Sequence, residues 1–224
     1  MVFELYGCPG VGKSTVVKNV EALLKDKEID YMNYNAVFFN GKKSLLYRMV
    51  NYSFALLNPR YCSVNFHILR ACLQFRSNLK YAVYLMTLIE RIKAIEQKNE
   101  GQIMILDEGI IQFVSSIAHG KDISTSSTVL SLLDQIQKLG IKIKAIECTL
   151  PLNENIKRLT ERKQHSRFLL AENQNEIIRL LVIKKNNVDY VASHFEKLCT
   201  LDMSKSSMDN SLLLFDTIIA AVTG

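Results

Sequence analysis

The chain has 224 residues, 48% of them apolar and 22% charged, with only 9 Gly and 3 Pro and a formal net charge of +6. That length suits one domain, with or without an insert, and the apolar share excludes global disorder. The low Gly and Pro content excludes collagen-like and turn-dense all-β architectures, and no apolar run reaches the roughly 18 residues of a membrane span.

In chain order, Val2–Tyr6 reads as a short apolar strand. Neither a basic n-region nor a small-residue cleavage site follows Met1, so no secretory leader is expected. A glycine-rich turn comes next, then Val16, Val17, Val20, Leu23 and Leu24 on one face of a helix ending near Lys27. A second strand is expected at 29–34. Residues 41–100 read as a helical insert, broken at Asn58-Pro59 because the residue before proline disfavours helix. Within it, Leu85, Leu88, Ile89, Ile92 and Ile95 mark a long helix running to about Asn99.

Ile103–Leu106 is continuously apolar, as a strand covered on both faces would be. Val129, Leu132, Leu133, Ile136 and Leu139 give a helix that Gly140 stops. Ile141, Ile143 and Ala145 alternate with Lys142 and Lys144, a strand wetter on one face. Leu152, Ile156 and Leu159 open a helix after Pro151. A longer helix covers roughly 169–193, a last strand 198–201, and a closing helix docks through Leu212, Phe215, Ile219 and Val222. This alternation implies an α/β domain over 1–224, a mainly parallel sheet with helices on both faces.

The positive charge is concentrated. Residues 41–89 hold Lys42, Lys43, Arg48, Arg60, Arg70, Arg76 and Lys80 and no acid, so the whole +6 excess lies there. Tyr47, Tyr52, Phe54, Tyr61, Phe66, Phe75, Tyr81 and Tyr84 are interleaved with these bases. The mixture suits an anionic ligand with a flat ring, and equally a solvated basic face over an aromatic core. Cys8, Cys62, Cys72, Cys148 and Cys199 form no CxxC pair, and the four histidines are scattered. Free thiols in a reducing cytoplasm, and no thiolate or imidazole metal site, are the expectation.

Gly7-Cys8-Pro9-Gly10-Val11-Gly12-Lys13-Ser14 fits G-x-x-x-x-G-K-[ST] in full, between a strand and a helix. Glycines let successive backbone N–H groups wrap a phosphate without Cβ clashes, and the helix N-terminus adds positive dipole. Lys13 would reach the β- and γ-phosphates, Ser14 would ligate Mg2+, and Thr15 would touch another phosphate oxygen. Asp107 and Glu108 follow the apolar strand at the sheet edge where ligands sit. Asp107 would hold Mg2+ opposite Ser14. Glu108 could orient an acceptor hydroxyl, position a hydrolytic water, or pair with a nearby base. Arg158 and Arg162 share a helix face, and Arg167 follows in a polar stretch. They could close over a moving phosphoryl group or stack on adenine, or lie on a solvated face with Glu154 and Glu161.

In this order of motifs the sequence resembles the nucleoside and nucleoside-monophosphate kinase group of P-loop proteins, with thymidylate kinase the nearest likeness. The motifs are the loop at 7–15, Asp107 after the third strand, Arg158-x-x-x-Arg162 with Arg167 as a lid-like segment over 158–168, and Leu201-Asp202-Met203-Ser204-Lys205-Ser206 before the last helix. The resemblance implies a three-layer P-loop NTPase fold with five parallel strands, ATP with Mg2+, an adenine pocket at the closing loop, and an acceptor pocket between strands two and three. Thymidylate kinases usually carry arginine where this chain has Glu108, so the acceptor does not transfer. The resulting expectation is a cytoplasmic phosphotransferase acting on a small acceptor, for which a homodimer is also compatible. The competing readings are an ATPase or switch that binds nucleic acid or a protein, a polynucleotide end-kinase, and a binding module without turnover.

Overall fold

Val2–Tyr6 (β1) is buried at every position, and its side chains alternate between two layers. In the computed structural model the described residues are 1–33, 58–77, 79–98, 102–118, 120–161 and 174–223. After β1 come α1 (Lys13–Asp26), β2 (Tyr31–Asn33), a 3-10 turn at Pro59–Tyr61, α2 (Cys62–Phe75) and α3 (Leu79–Lys98). The second half holds β3 (Ile103–Leu106), α4 (Ile110–Ser116), α5 (Ser127–Lys138), β4 (Ile143–Thr149), α6 (Leu152–Thr160), α7 (Gln174–Ala192), β5 (Glu196–Asp202) and α8 (Ser207–Thr223).

The five strands form one parallel sheet in the order β2-β3-β1-β4-β5. Parallel strands need crossovers, and the crossover helices cover both faces. Phe3 and Leu5 of β1, Ile103 and Ile105 of β3, and Ile146 of β4 pack against Val16, Val20 and Leu24 of α1 and Leu214 and Ile218 of α8. Val2, Tyr6, Met104, Leu106, Ile143 and Ala145 face the other layer, built from α2, α3, α4, α5 and α7. Each fully buried Leu or Ile adds about 2 kcal/mol of transfer free energy. This is the α/β arrangement expected from the strand–helix alternation.

Several details differ from the expectation: β4 begins at Ile143, with Ile141 before it, and β5 spans Glu196–Asp202 where 198–201 was expected. β2 is three residues long where 29–34 was expected, with Ile29 before it and Tyr34 outside the described residues. The helix α4 has no counterpart in the sequence reading; its seven residues are too few for a 3.6-residue period to stand out. α8 docks through Ser211, Leu214 and Ile218, with Phe215 and Ile219 at the margin, while Leu212 and Val222 are 45% and 38% exposed. Its sequence is apolar on most sides, so two helical stripes fit the letters and only contact with α1 selects one.

Of the basic segment, 41–57 lies outside the described residues, and with it Lys42, Lys43, Arg48, Tyr47, Tyr52 and Phe54. Arg60, Arg70 and Arg76 are exposed, Tyr61 is buried, and Phe75, Tyr81 and Tyr84 are half-buried. Among the described residues no helix is long and apolar enough to cross a membrane.

Candidate active site

β1 and β3 are neighbours, so the loop after β1 and the turn after β3 emerge side by side at the carboxyl edge of the sheet. Gly7, Gly10 and Gly12 of the loop all have positive φ. At Gly7 (φ 145) a Cβ would stand 2.4 Å from the Cys148 carbonyl oxygen on β4. That obstacle is sheet backbone, so it cannot swing aside. α6 holds the loop from its other side. Asn155 Nδ2 donates to the Pro9 carbonyl at 2.8 Å. Arg158 donates from Nη1 to the Val11 carbonyl at 3.1 Å and from Nη2 to the Met203 carbonyl at 3.0 Å. Its guanidinium therefore joins the phosphate loop to the turn that follows β5. In that turn Asp202 accepts from the backbone N and Oγ of Ser204 at 3.0 and 2.6 Å.

Lys13, the first residue of α1, is only 8% exposed. Its ammonium donates to the carbonyls of Gly7 at 3.1 Å and Cys8 at 3.2 Å. Burial lowers its pKa, and nearby Glu108 and Asp107 are among the groups that pull it back up. The Ser14 and Thr15 side chains are exposed beside the loop. Asp107 is 7% exposed at the end of β3, and Glu108 next to it reaches solvent. The protein packed around Glu108, and then the Asp107 carboxylate, push its pKa up, against Lys13 and Lys184. The loop, Lys13, Ser14, Asp107 and Glu108 are thus gathered at one edge. Arg162, Arg167 and most of the lid-like segment lie outside the described residues.

The donor chemistry fits Mg2+. A hydroxyl and a carboxylate are hard oxygen ligands, and Mg2+ binds through one or two carboxylates plus substrate phosphates and waters. Among the described residues no group of three or more His, Cys, Asp or Glu is placed to hold a metal. The loop fits a polyphosphate by its conformation: Gly7, Gly10 and Gly12 all hold positive φ, the kind of turn in which successive backbone N–H groups can face one anion.

Four further residues surround this site without having been singled out in the sequence. Glu4, on β1, is fully buried and accepts from the Gln112 backbone N at 3.0 Å. Burial raises its pKa to about 7, against backbone N–H groups of 109–112 that favour the charged form. Gln112 Nε2 donates to the Gly7 carbonyl at 3.3 Å, the oxygen that Lys13 also uses. Lys184, on α7, donates to Ser115 and Ser116 Oγ at 2.8 Å each and to the Gln112 carbonyl at 3.4 Å. Among the described residues no carboxylate lies within ion-pair distance of it, and burial first, then Lys13, lowers its pKa to about 7. Asn155 is the fourth. A charge inside the apolar run of β1 marks Glu4 in the letters, whereas Gln112, Asn155 and Lys184 look like ordinary helix polar residues.

Among solved structures, a deoxyadenosine kinase from M.mycoides with bound dATP is similar at a TM-score of 0.55 and 12% identity, over 98% of this chain and 100% of that one. The same enzyme with the products dCMP and a flexible dCDP bound is similar at a TM-score of 0.52 and 13% identity, with the same coverage. At these identities the likeness is one of fold. No curated protein sequence matches the chain. The sequence model of the KAP family P-loop domain matches residues 1–179, which include the loop, Asp107, Glu108 and α6. With that match over most of its length, and with the strand–loop–helix and acidic turn in place, the chain belongs to the KAP family of P-loop NTPases.

Proposed function

We propose that the chain transfers the γ-phosphoryl group of ATP, with Mg2+, to a small anionic or nucleoside- or nucleotide-type acceptor. The observation that carries this reading is the contrast within one turn: Asp107 is buried, while Glu108 stands at the open mouth with its acidity weakened. Adjacent carboxyl groups in such different settings divide their work. Asp107 and the Ser14 hydroxyl would hold Mg2+, which when bound offsets phosphate charge. Gly7, Cys8, Pro9, Gly10, Val11 and Gly12 present backbone to the phosphates, and Thr15 adds a hydroxyl. Lys13 would exchange its two carbonyl partners for phosphate oxygens. Glu108 would orient the acceptor hydroxyl and take the proton it gives up. Arg162 and Arg167, beyond α6, would meet the charge that spreads over the moving group. Arg158 and the turn at Asp202 would border the adenine.

The segment 41–100 is the proposed acceptor side, and 158–168 the lid. Support for a nucleotide-type acceptor is the fold shared with a deoxyadenosine kinase; the likeness to thymidylate kinase rests on the order of motifs alone. Five free thiols accord with a cytoplasmic setting. A second reading, nucleotide hydrolysis coupled to a nucleic-acid or protein partner, draws on membership in a family defined by its P-loop domain. In it Glu108 positions water.

The product formed separates the two, and Glu108→Gln tests the residue. With γ-labelled ATP, Mg2+ and an acceptor panel, the variant is expected to transfer label at least about a hundredfold more slowly while binding ATP as before. Acceptor-independent phosphate release by the parent protein, lost in Glu108→Gln, would replace transfer with hydrolysis.

A further inference from the structure

A carboxylate buried in the central strand of a sheet is costly, and this one is only half satisfied. Glu4 Oε1 accepts from the Gln112 backbone N at 3.0 Å, while Oε2 has no hydrogen-bond partner among the described residues. Desolvating a carboxylate costs several kcal/mol unless its environment compensates, and an apolar residue would fill the same place without that cost. Folding alone therefore gives no reason for a glutamate at this position.

Its surroundings give one. Glu4 pairs with Leu106 across the β1–β3 ladder, and Leu106 immediately precedes Asp107. From the same residue the side chain reaches past the turn to the first turn of α4. Gly109 lies between, and a Cβ there would stand 2.4 Å from Glu4 Cδ and Oε2. The three residues Asp107, Glu108 and Gly109 are thus held at both ends, by the ladder at 106 and by the carboxylate that packs on Gly109 and accepts from Gln112. β1 leads directly into the phosphate loop, so one strand references both halves of the site. Gln112 ties the same helix turn to the Gly7 carbonyl, and Lys184 with Ser115 and Ser116 holds its far side.

We propose that Glu4 is a positioning residue which, by accepting the Gln112 N–H in the first turn of α4 across Gly109, sets Asp107 at the distance from the phosphate loop that Mg2+ with bound nucleotide requires. This deepens the proposed role of Asp107 and rests on it. Glu4 itself touches neither nucleotide nor metal. Its effect is confined to the metal-dependent part of binding, because the loop and Lys13 hold phosphates without it.

The test is ATP affinity measured by calorimetry with Mg2+ and again with EDTA, in the parent chain and in Glu4→Gln. The amide keeps the volume but replaces one acceptor oxygen with a donor facing N–H groups. Glu4→Gln is expected to lose about tenfold or more of the Mg2+-dependent gain, as outer-shell substitutions at metal sites do, with the EDTA affinity within about twofold of the parent. Gly109→Ala displaces the carboxylate from the other side and is expected to give the same split, which keeps the test available if Glu4→Gln does not fold. Equal losses with and without Mg2+, or no loss in either, would overturn the inference and leave Glu4 a structural residue. A parent protein whose ATP affinity gains nothing from Mg2+ would instead overturn the Asp107 assignment, and this inference with it.

Discussion

Lys13→Met is expected to abolish phosphoryl transfer while the protein stays folded. Removing one preorganised donor to developing transition-state charge typically costs a factor of about a hundred to a thousand, and Lys13 is a charged donor, so the loss is expected at the upper end or beyond it. The fold has little to lose. In the free protein the ammonium is buried against two neutral carbonyls, and burial already disfavours its charge. Methionine fills a similar volume, and the Gly7 carbonyl keeps its Gln112 donor. Thermal unfolding and turnover measured on the same preparation check both halves. A melting temperature within a few degrees of the parent with no transfer supports the assignment, and full activity would remove Lys13 from the site.

Gly7→Ala is expected to fail differently, by losing stability and nucleotide binding together. The new Cβ would lie 2.4 Å from the Cys148 carbonyl oxygen, which belongs to a strand paired on both sides. The residue would also hold φ 145, a conformation that alanine rarely adopts. Overpacking and backbone strain cost about 1–3 kcal/mol each, so a loss of about 3 kcal/mol or more is expected, on the order of 10 °C for a chain of this size. Gly140→Ala is the control. That glycine also has positive φ, but no atom lies within 4 Å of its added Cβ. It is expected to cost only about 1 kcal/mol and to leave binding intact. Equal effects at the two glycines would mean that the approach of β4 to the loop does not matter.

The letters carried the sheet, and they placed the phosphate loop and the acidic turn at the ends of its strands, because those features depend on local pattern. The strands at 2–6 and 103–106 are unbroken apolar runs, and the phosphate loop is a contiguous motif whose glycines and lysine are required by the turn itself. Asp107 and Glu108 follow from standing at a strand end. What the letters did not show depends on contacts distant in sequence. Glu4 meets Gln112 108 residues away, and Arg158 meets Val11 147 residues away. Nothing in a single sequence marks Gln112 or Lys184 as packed under the loop rather than solvated on a helix. The same limit explains the misplaced face of α8, where apolar residues on adjoining stripes fit two orientations and the docking against α1 chose Leu214 and Ile218. Arg158 adds a contact that its spacing from Arg162 does not show: its two donor nitrogens join the loop to the turn after β5.

Product analysis of the unmodified protein tests transfer to an acceptor most directly. γ-Labelled ATP and Mg2+ would be incubated alone, then with nucleosides, nucleoside monophosphates and 5′-hydroxyl oligonucleotides. The account predicts label on one small acceptor class and little free phosphate in its absence. Rapid phosphate release without any acceptor, unchanged across the panel, would contradict it and make the site at Lys13, Asp107 and Glu108 hydrolytic.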